Sequence, residues 1–386
     1  MSLKDKYVIC GLGVSKQGKM PGVNLNALRA EVAQLAIDDA GLTAKDIDGY
    51  IYQGSMAEMR GGFFVGGNVP QRLGLEPKFI WRLETGGVTA ISSILAATGA
   101  IEAGLVHYVL CLYAATDLSE GLVLAAPPGG RNTPGSFGMF SPGADHAFAA
   151  RRHMYEYGTT QEQLGAIAVT QRQYAQMRPD AFMYNRPLTM EDYLKSKWVA
   201  EPFHILDMCL ISDGGIAFIV TTPERARNLR PKPVYIMGIG LGHQLTESYR
   251  KEQYTTLDVG PSKEAAFQMA GLTIEDLDVA QLYDCFTITV LLETEGYGFC
   301  KKGEGGAFYA EGHSKLGGKI PINTSGGNLS WGYNQGFTPV AEAVRQLRRE
   351  GGATQVKDAE IALCSGHGTT SLGSMNYAHG TLVLRR

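Results

Sequence analysis

Gly41-Leu42-Thr43-Ala44-Lys45-Asp46-Ile47-Asp48 returns roughly 230 residues further on as Gly271-Leu272-Thr273-Ile274-Glu275-Asp276-Leu277-Asp278. Each copy follows an amphipathic helical pattern, Ala30 to Ala40 and Lys263 to Ala270, and each leads into a short apolar segment, 49–53 and 279–283. Upstream, Tyr7-Val-Ile-Cys-Gly-Leu-Gly13 has a partner in Val234-Tyr-Ile-Met-Gly-Ile-Gly240. One glycine-led helix-to-strand turn repeats easily by chance. Two matched pairs in the same order indicate a duplicated half.

The polar, proline-bounded stretch from Thr221 to Pro233 reads as the connector, dividing the chain into 1–225 and 226–386. Before it, Gly214 to Thr222 is a β-branched apolar run suited to a buried central strand. Such strands (Val106–Ala114, Ile361–Ser365) alternate with helical patterns, so the fold class is α/β. Residues 116–210 interrupt the first half and are richer in Arg, Tyr, Met and Pro. An excursion of that length predicts helices of its own and a lid over the site. Thr160 with Gln163 predicts a boxed helix start there, reaching towards Met177.

Composition narrows the function. Thirty-five basic against 38 acidic residues leave a net charge of −3, which argues against a nucleic-acid or anionic-membrane partner. The six cysteines stand singly, with no CxxC pair, so a zinc site is not expected and buried free thiols are. No apolar run reaches membrane-span length and no leader pattern precedes Tyr7, so a cytoplasmic location is expected. The 49 glycines cluster as GGVTA, SGG, GGAF and SGHG, consistent with tight backbone turns around a buried site.

Four short blocks follow in order: Ile211-Ser-Asp-Gly-Gly215; Tyr283-Asp-Cys-Phe286 with Leu291-Leu-Glu-Thr-Glu-Gly296; Asn323-Thr-Ser-Gly-Gly327 with Gly332-Tyr333-Asn334; and Cys364-Ser365-Gly366. Together with the duplication, they resemble the thiolase superfamily over nearly the whole chain. The likeness is greatest to its sterol-carrier and lipid-transfer branch, with SDGA, HDCF, NPSGG…GHP and CxG blocks. The resemblance implies a thiolase-like fold: duplicated halves in an α-β-α-β-α layering with an inserted loop domain.

The departures carry more information than the matches. The stretch aligned with the thiolase nucleophile is Leu83-Glu-Thr-Gly86-Gly87-Val88-Thr89, which puts Gly87 where the cysteine would be. No cysteine lies between Cys10 and Cys111, so no small shift of the alignment recovers one. The histidines of HDCF and GHP are replaced by Tyr283 and Tyr333. Either change alone reads equally well as repacking; together with the missing nucleophile they read as altered chemistry.

A thiolase shell so altered resembles the lipid-transfer-type aldolases of steroid side-chain degradation. The resemblance implies retro-aldol cleavage of a β-hydroxyacyl-CoA to a ketone and a shorter acyl-CoA, with the CoA thioester as substrate and no cofactor. That chemistry forms no acyl-enzyme and needs a base, an acid and enolate stabilisation. Tyr283 and Tyr333 are the candidate proton-transfer pair, either serving as base or acid; a tyrosine base would require a lowered pKa. Backbone amides near Gly87 and Gly366 are candidate oxyanion donors. Cys364 matches the CxG base but also suits a buried strand end, and His367 lies in a plausible site loop but reads more readily as a solvated turn. Cys285 reads as packing.

Two rival readings are a thiolase-type acyltransferase (acetyl-CoA acetyltransferase) using Cys364 or Cys285, and a non-catalytic lipid- or acyl-CoA-binding scaffold. Arg131, Arg151, Arg152 and Arg172 are basic residues of the excursion that could face CoA, without a diagnostic pattern. The resemblance further implies a homodimer and a small OB-fold partner protein.

Overall fold

Both copies of the repeated octapeptide do the same physical work. A helix ends on a glycine in the left-handed region, Gly41 at φ 72° and Gly271 at φ 66°, where a Cβ would be strained. The next threonine starts a single tight turn closed by an aspartate. Asp46 Oδ2 accepts from the Thr43 amide and hydroxyl, each at 2.7 Å, and Asp276 Oδ2 from those of Thr273 at 2.7 and 2.9 Å. The second aspartate then ties down the start of the neighbouring strand. Asp48 Oδ1 accepts from the amides of His107 and Tyr108, and Asp278 Oδ2 from those of Glu360 and Ile361. The repeated letters are repeated hydrogen bonds.

The computed structural model describes residues 3–55, 68–122, 141–243, 254–257, 259–368 and 378–386. The first half contains β1 (Val8–Val14), α1 (Leu25–Ala40), β2 (Gly49–Gln53), α2 (Asn68–Leu73), β3 (Phe79–Arg82), α3 (Thr89–Glu102) and β4 (Val109–Ala115). The insertion adds α4 (Pro142–Tyr157), α5 (Gln161–Ala175), α6 (Met190–Lys195), β5 (Trp198–Ala200) and β6 (Phe203–His204) before β7 (Gly214–Thr221) closes the half. The connector holds one short helix, α7 (Pro223–Ala226). The second half runs β8 (Val234–His243), α8 (Gly260–Ala270), β9 (Val279–Gln281) and α9 (Thr287–Tyr297). It continues through α10 (Gly305–Ala310), α11 (Gly327–Ser330), α12 (Phe337–Arg348), β10 (Ile361–Gly368) and β11 (Ala378–Arg385).

The nine-stranded sheet has the order β3-β2-β4-β7-β1-β8-β11-β10-β9. Its seam is the antiparallel pair β1 and β8, where Val8 faces Tyr235 and Ile9 faces Val234. Val8 and Tyr235 are equivalent positions of the repeat, so an approximate two-fold axis passes between them. Outward from that axis, each half has two antiparallel neighbours (β1–β7–β4; β8–β11–β10) and then a parallel one (β2; β9). Helix α3 touches β2, β4 and β7 of its own half and β8, β10 and β11 of the other; α12 likewise touches strands of both halves. Ile91, Ile94, Val340 and Val344 of these helices join one core, while α1 and α8 cover the outer faces. The layering is α-β-α-β-α, a thiolase-like α/β fold.

The insertion has the helices its length predicts, and Thr160 with Gln163 forms the expected capping box at the start of α5, which ends at Ala175. It packs on the segments that follow β9 and precede α12. The Cys209 amide donates to the Cys285 carbonyl at 2.8 Å, the Leu210 amide to the Asn328 carbonyl at 3.0 Å, and Arg172 Nε to Ser330 Oγ at 3.1 Å. Arg131 lies outside the described residues. No helix of the described residues is long and apolar enough to cross a membrane.

One buried carboxylate fastens the insertion to the second half. Glu295 on α9 meets His153 Nε2 of α4 at 3.1 Å and accepts from Lys302 Nζ at 2.8 Å and from the Gly303 and Gly305 amides at 3.0 Å. Burial pushes this carboxyl up, but the His153 and Lys302 interactions outweigh it and hold the group below its ordinary value. A depressed folded-state pKa contributes stability that is present above the unfolded carboxylate range and is lost as pH falls through the folded value. Glu295→Gln is therefore expected to destabilise by about 1–3 kcal/mol near neutrality. Melting curves of parent and variant should converge below about pH 4; a gap that stays constant with pH would refute this role.

Candidate active site

The two tyrosines meet. Tyr283 OH and Tyr333 OH are 3.2 Å apart, brought together from the ends of β9 and α11. Tyr283 is 3% exposed. The Tyr333 amide donates to Ser212 Oγ at 2.9 Å, so the SDGG block fixes one tyrosine. The other is fixed from three sides. Asn323 Oδ1 accepts from the Leu282 amide at 2.7 Å, and the Tyr283 amide donates to Ser365 Oγ at 2.8 Å and Glu293 Oε2 at 3.1 Å. Asp284 Oδ1 and Oδ2 accept from the amides of Asn328 and Leu329, while burial pushes its carboxyl up to about 8. The sequence blocks thus bond to one another through main-chain amides, which explains their spacing.

Gly87 stands directly against this pair. A Cβ added there would lie 2.3 Å from Tyr283 Cζ and 2.3 Å from the His367 carbonyl oxygen. The space a nucleophilic side chain would need is filled by the Tyr283 ring. The Gly87 carbonyl is in turn crowded: a Cβ at Gly366 would stand 2.7 Å from it. A side chain at position 87 and the Tyr283 ring therefore compete for the same space.

Burial pushes both phenols well above their ordinary value of 10, so both are neutral at physiological pH. The lowered pKa that a resting tyrosinate base requires is not found. Two neutral phenols in hydrogen-bond contact can donate a proton or pass one between them.

His367 is placed in β10, not in a loop; Gly366, His367 and Gly368 face Gly380, His379 and Ala378 of β11, and that pairing extends the strand through the glycines. Its ring centroid lies 6.2 Å from that of Tyr283. Cys364 is fully buried, its thiol directed at the Pro339 carbonyl at 3.7 Å, and burial raises its pKa. Cys285 is also buried and raised, 3.9 Å from His146 Nε2 and 3.4 Å from Thr289 Oγ1. Neither thiol is in the ionised form that nucleophilic attack needs.

Two residues packed around these blocks escaped sequence reading. His146 on α4 stacks on Phe286 at 4.2 Å, and burial lowers its pKa to about 4. It belongs to no block, and only the fold brings it near. Glu293 lies inside the block 291–296, where a carboxylate in an apolar run is a visible signal.

The fold and this site define a thiolase-type protein in which the Tyr283 ring closes the space beside Gly87. Residues 240–386 match the family described as thiolase C-terminal domain-like. A steroid side-chain-cleaving aldolase of Thermomonospora curvata is 36% identical over 90% of this chain and 91% of its own length. A 17-hydroxy-3-oxo-4-pregnene-20-carboxyl-CoA lyase of Mycobacterium tuberculosis is 33% identical over 90% and 92%. The solved Ltp2-ChsH2(DUF35) aldolase superposes with a TM-score of 0.88 at 33% identity, covering 99% of this chain and 98% of that one. The chain belongs to the thiolase superfamily and, within it, to the sterol-carrier-like group that includes the steroid side-chain-cleaving aldolases.

Proposed function

We propose that this protein is a carbon–carbon lyase that cleaves a β-hydroxyacyl-CoA by retro-aldol chemistry, releasing a ketone and a shorter acyl-CoA. The observation that carries the reading is the Tyr283 ring in the nucleophile's place with its hydroxyl 3.2 Å from that of Tyr333. Two neutral phenols in contact move a proton without either becoming a resting anion. As one phenol oxygen takes the proton of the substrate's β-hydroxyl, its own proton passes to the second phenol, whose proton goes to Cα. The O–H electron pair becomes the ketone π bond, and the Cα–Cβ pair becomes the enolate and then the new C–H bond. Both tyrosines end as they began, and neither water nor an oxidant is consumed. Amides around Gly87 and Gly366 are the proposed donors to the enolate oxygen.

The relatives point to a steroid side chain as the acyl group: one is named for steroid side-chain cleavage and another for a pregnene carboxyl-CoA. The Ltp2-ChsH2(DUF35) assembly supports a small partner protein for this chain too. For the homodimer, the edge strand β3 offers Ile80 and Trp81, 47% and 50% exposed, as a self-complementary apolar contact.

The test is incubation with β-hydroxyacyl-CoAs, steroid and straight-chain, with and without a DUF35-type partner, watching for a shorter CoA ester and a ketone. Iodoacetamide should leave turnover intact, and acetyl-CoA should leave no acyl adduct on the protein. A stoichiometric adduct on Cys285 or Cys364, without ketone release, would establish the acyltransferase reading instead.

A further inference from the structure

The geometry points to Glu293, held by His379, as the positioning residue that fixes the reactive hydroxyl of Tyr283 from behind; the inference rests on the retro-aldolase reading. Glu293 is completely buried on α9. Its Oε2 accepts from the Tyr283 amide at 3.1 Å and from the Ser365 hydroxyl, and that same hydroxyl oxygen accepts from the Tyr283 amide at 2.8 Å. A carboxylate, a serine and one amide N–H thus form a closed triangle at the root of the tyrosine.

The other carboxylate oxygen faces His379. Glu293 Oε1 and His379 Nε2 are 3.4 Å apart, an ion-pair distance without hydrogen-bond geometry, and neither has another hydrogen-bond partner among the described residues. On the far side of the ring, His379 Nδ1 lies 2.8 Å from Ser262 Oγ, whose own hydroxyl donates to the Val259 carbonyl at 3.0 Å. Ser262 Oγ also lies 2.9 Å from Thr381 Oγ1, so the His379 ring is held between Ser262 on one side and the Glu293 carboxylate on the other. The carboxylate behind the Tyr283 amide is thereby braced through His379 of β11 and Ser262 of α8, outside the tyrosine pair itself.

This arrangement suits a site whose ring stands in a gap closed by Gly87 and the His367 carbonyl, where a tilt of the backbone at Tyr283 has nowhere to go but into the Tyr333 contact. Displacing a reacting group by about 1 Å costs on the order of 10²-fold in rate.

The experiment is a double-mutant cycle on the full chain with its partner, together with a fluorine NMR readout from 3-fluorotyrosine placed at position 283. Glu293→Gln and, as a milder perturbation, His379→Gln should each lower kcat by roughly 10²-fold with KM within about threefold. In a Tyr283→Phe background the same changes should cost almost nothing further, since the hydroxyl they position is gone. The fluorine resonance should shift in both variants. Equal losses in the two backgrounds, or an unmoved resonance, would overturn the inference. If the parent cleaves no β-hydroxyacyl-CoA, the retro-aldolase reading fails separately, and the fluorine shift alone decides whether Glu293 holds the ring. If Glu293→Gln does not fold, His379→Gln carries the same two measurements.

Discussion

Replacing Tyr283 or Tyr333 by phenylalanine lowers kcat for cleavage by roughly 10²–10⁴-fold while leaving the melting temperature close to that of the parent. The ring is kept, so the gap beside Gly87 stays filled and nearly all the buried area survives. What is lost is one of two hydroxyls 3.2 Å apart, in a site where burial keeps both phenols protonated. A relay through two oxygens fails when either is removed, so the double Phe variant should be little slower than the worse single one. A pair that merely packs predicts near-normal turnover and a stability change of about 1 kcal/mol. The two outcomes differ by about 3–5 kcal/mol in activation free energy, well beyond assay error. Parental rates in both single variants, on a substrate the parent demonstrably cleaves, would remove these tyrosines from the mechanism.

The duplicated fold was legible because its signal is chemical and local. The Gly-Leu-Thr-x-x-Asp-x-Asp octapeptide names a left-handed helix stop, a closed turn and a strand anchor, and each copy forms the same bonds. The tyrosine pair was legible through its blocks, whose separation of 50 residues is bridged by amide contacts from Ser212, Asn323 and Asp284. Three things were not legible. The strand through His367 is set by pairing with a segment whose partnership only the fold reveals. The charge state of the phenols depends on burial, which no motif encodes; burial keeps both protonated. The place of His146 depends on how the insertion docks, and docking is written in scattered contacts such as Cys209 to Cys285 and Arg172 to Ser330.

Gly87→Ala tests whether the missing nucleophile and the added tyrosine are coupled. The new methyl would meet the Tyr283 ring and the His367 carbonyl, each at 2.3 Å, and a real Cβ does not come closer than about 3.0 Å to either. Neither neighbour is a flexible chain end. The carbonyl belongs to β10 and is held by β11; the ring is buried and rooted in the Glu293–Ser365 triangle. Overpacking of this kind costs about 1–3 kcal/mol, so the melting temperature should drop. Activity should fall at least as far as in Tyr283→Phe, because the ring yields by moving its hydroxyl away from Tyr333. Adding Tyr283→Ala to Gly87→Ala should recover part of the lost stability, though not all, since the carbonyl clash remains, and none of the activity. Gly87→Cys meets the same obstruction and is expected to gain no acyl-enzyme, whereas a simple vacancy would accept the thiol. A Gly87→Ala protein with parental melting and turnover would show that a side chain at position 87 and the Tyr283 ring do not compete for the same space.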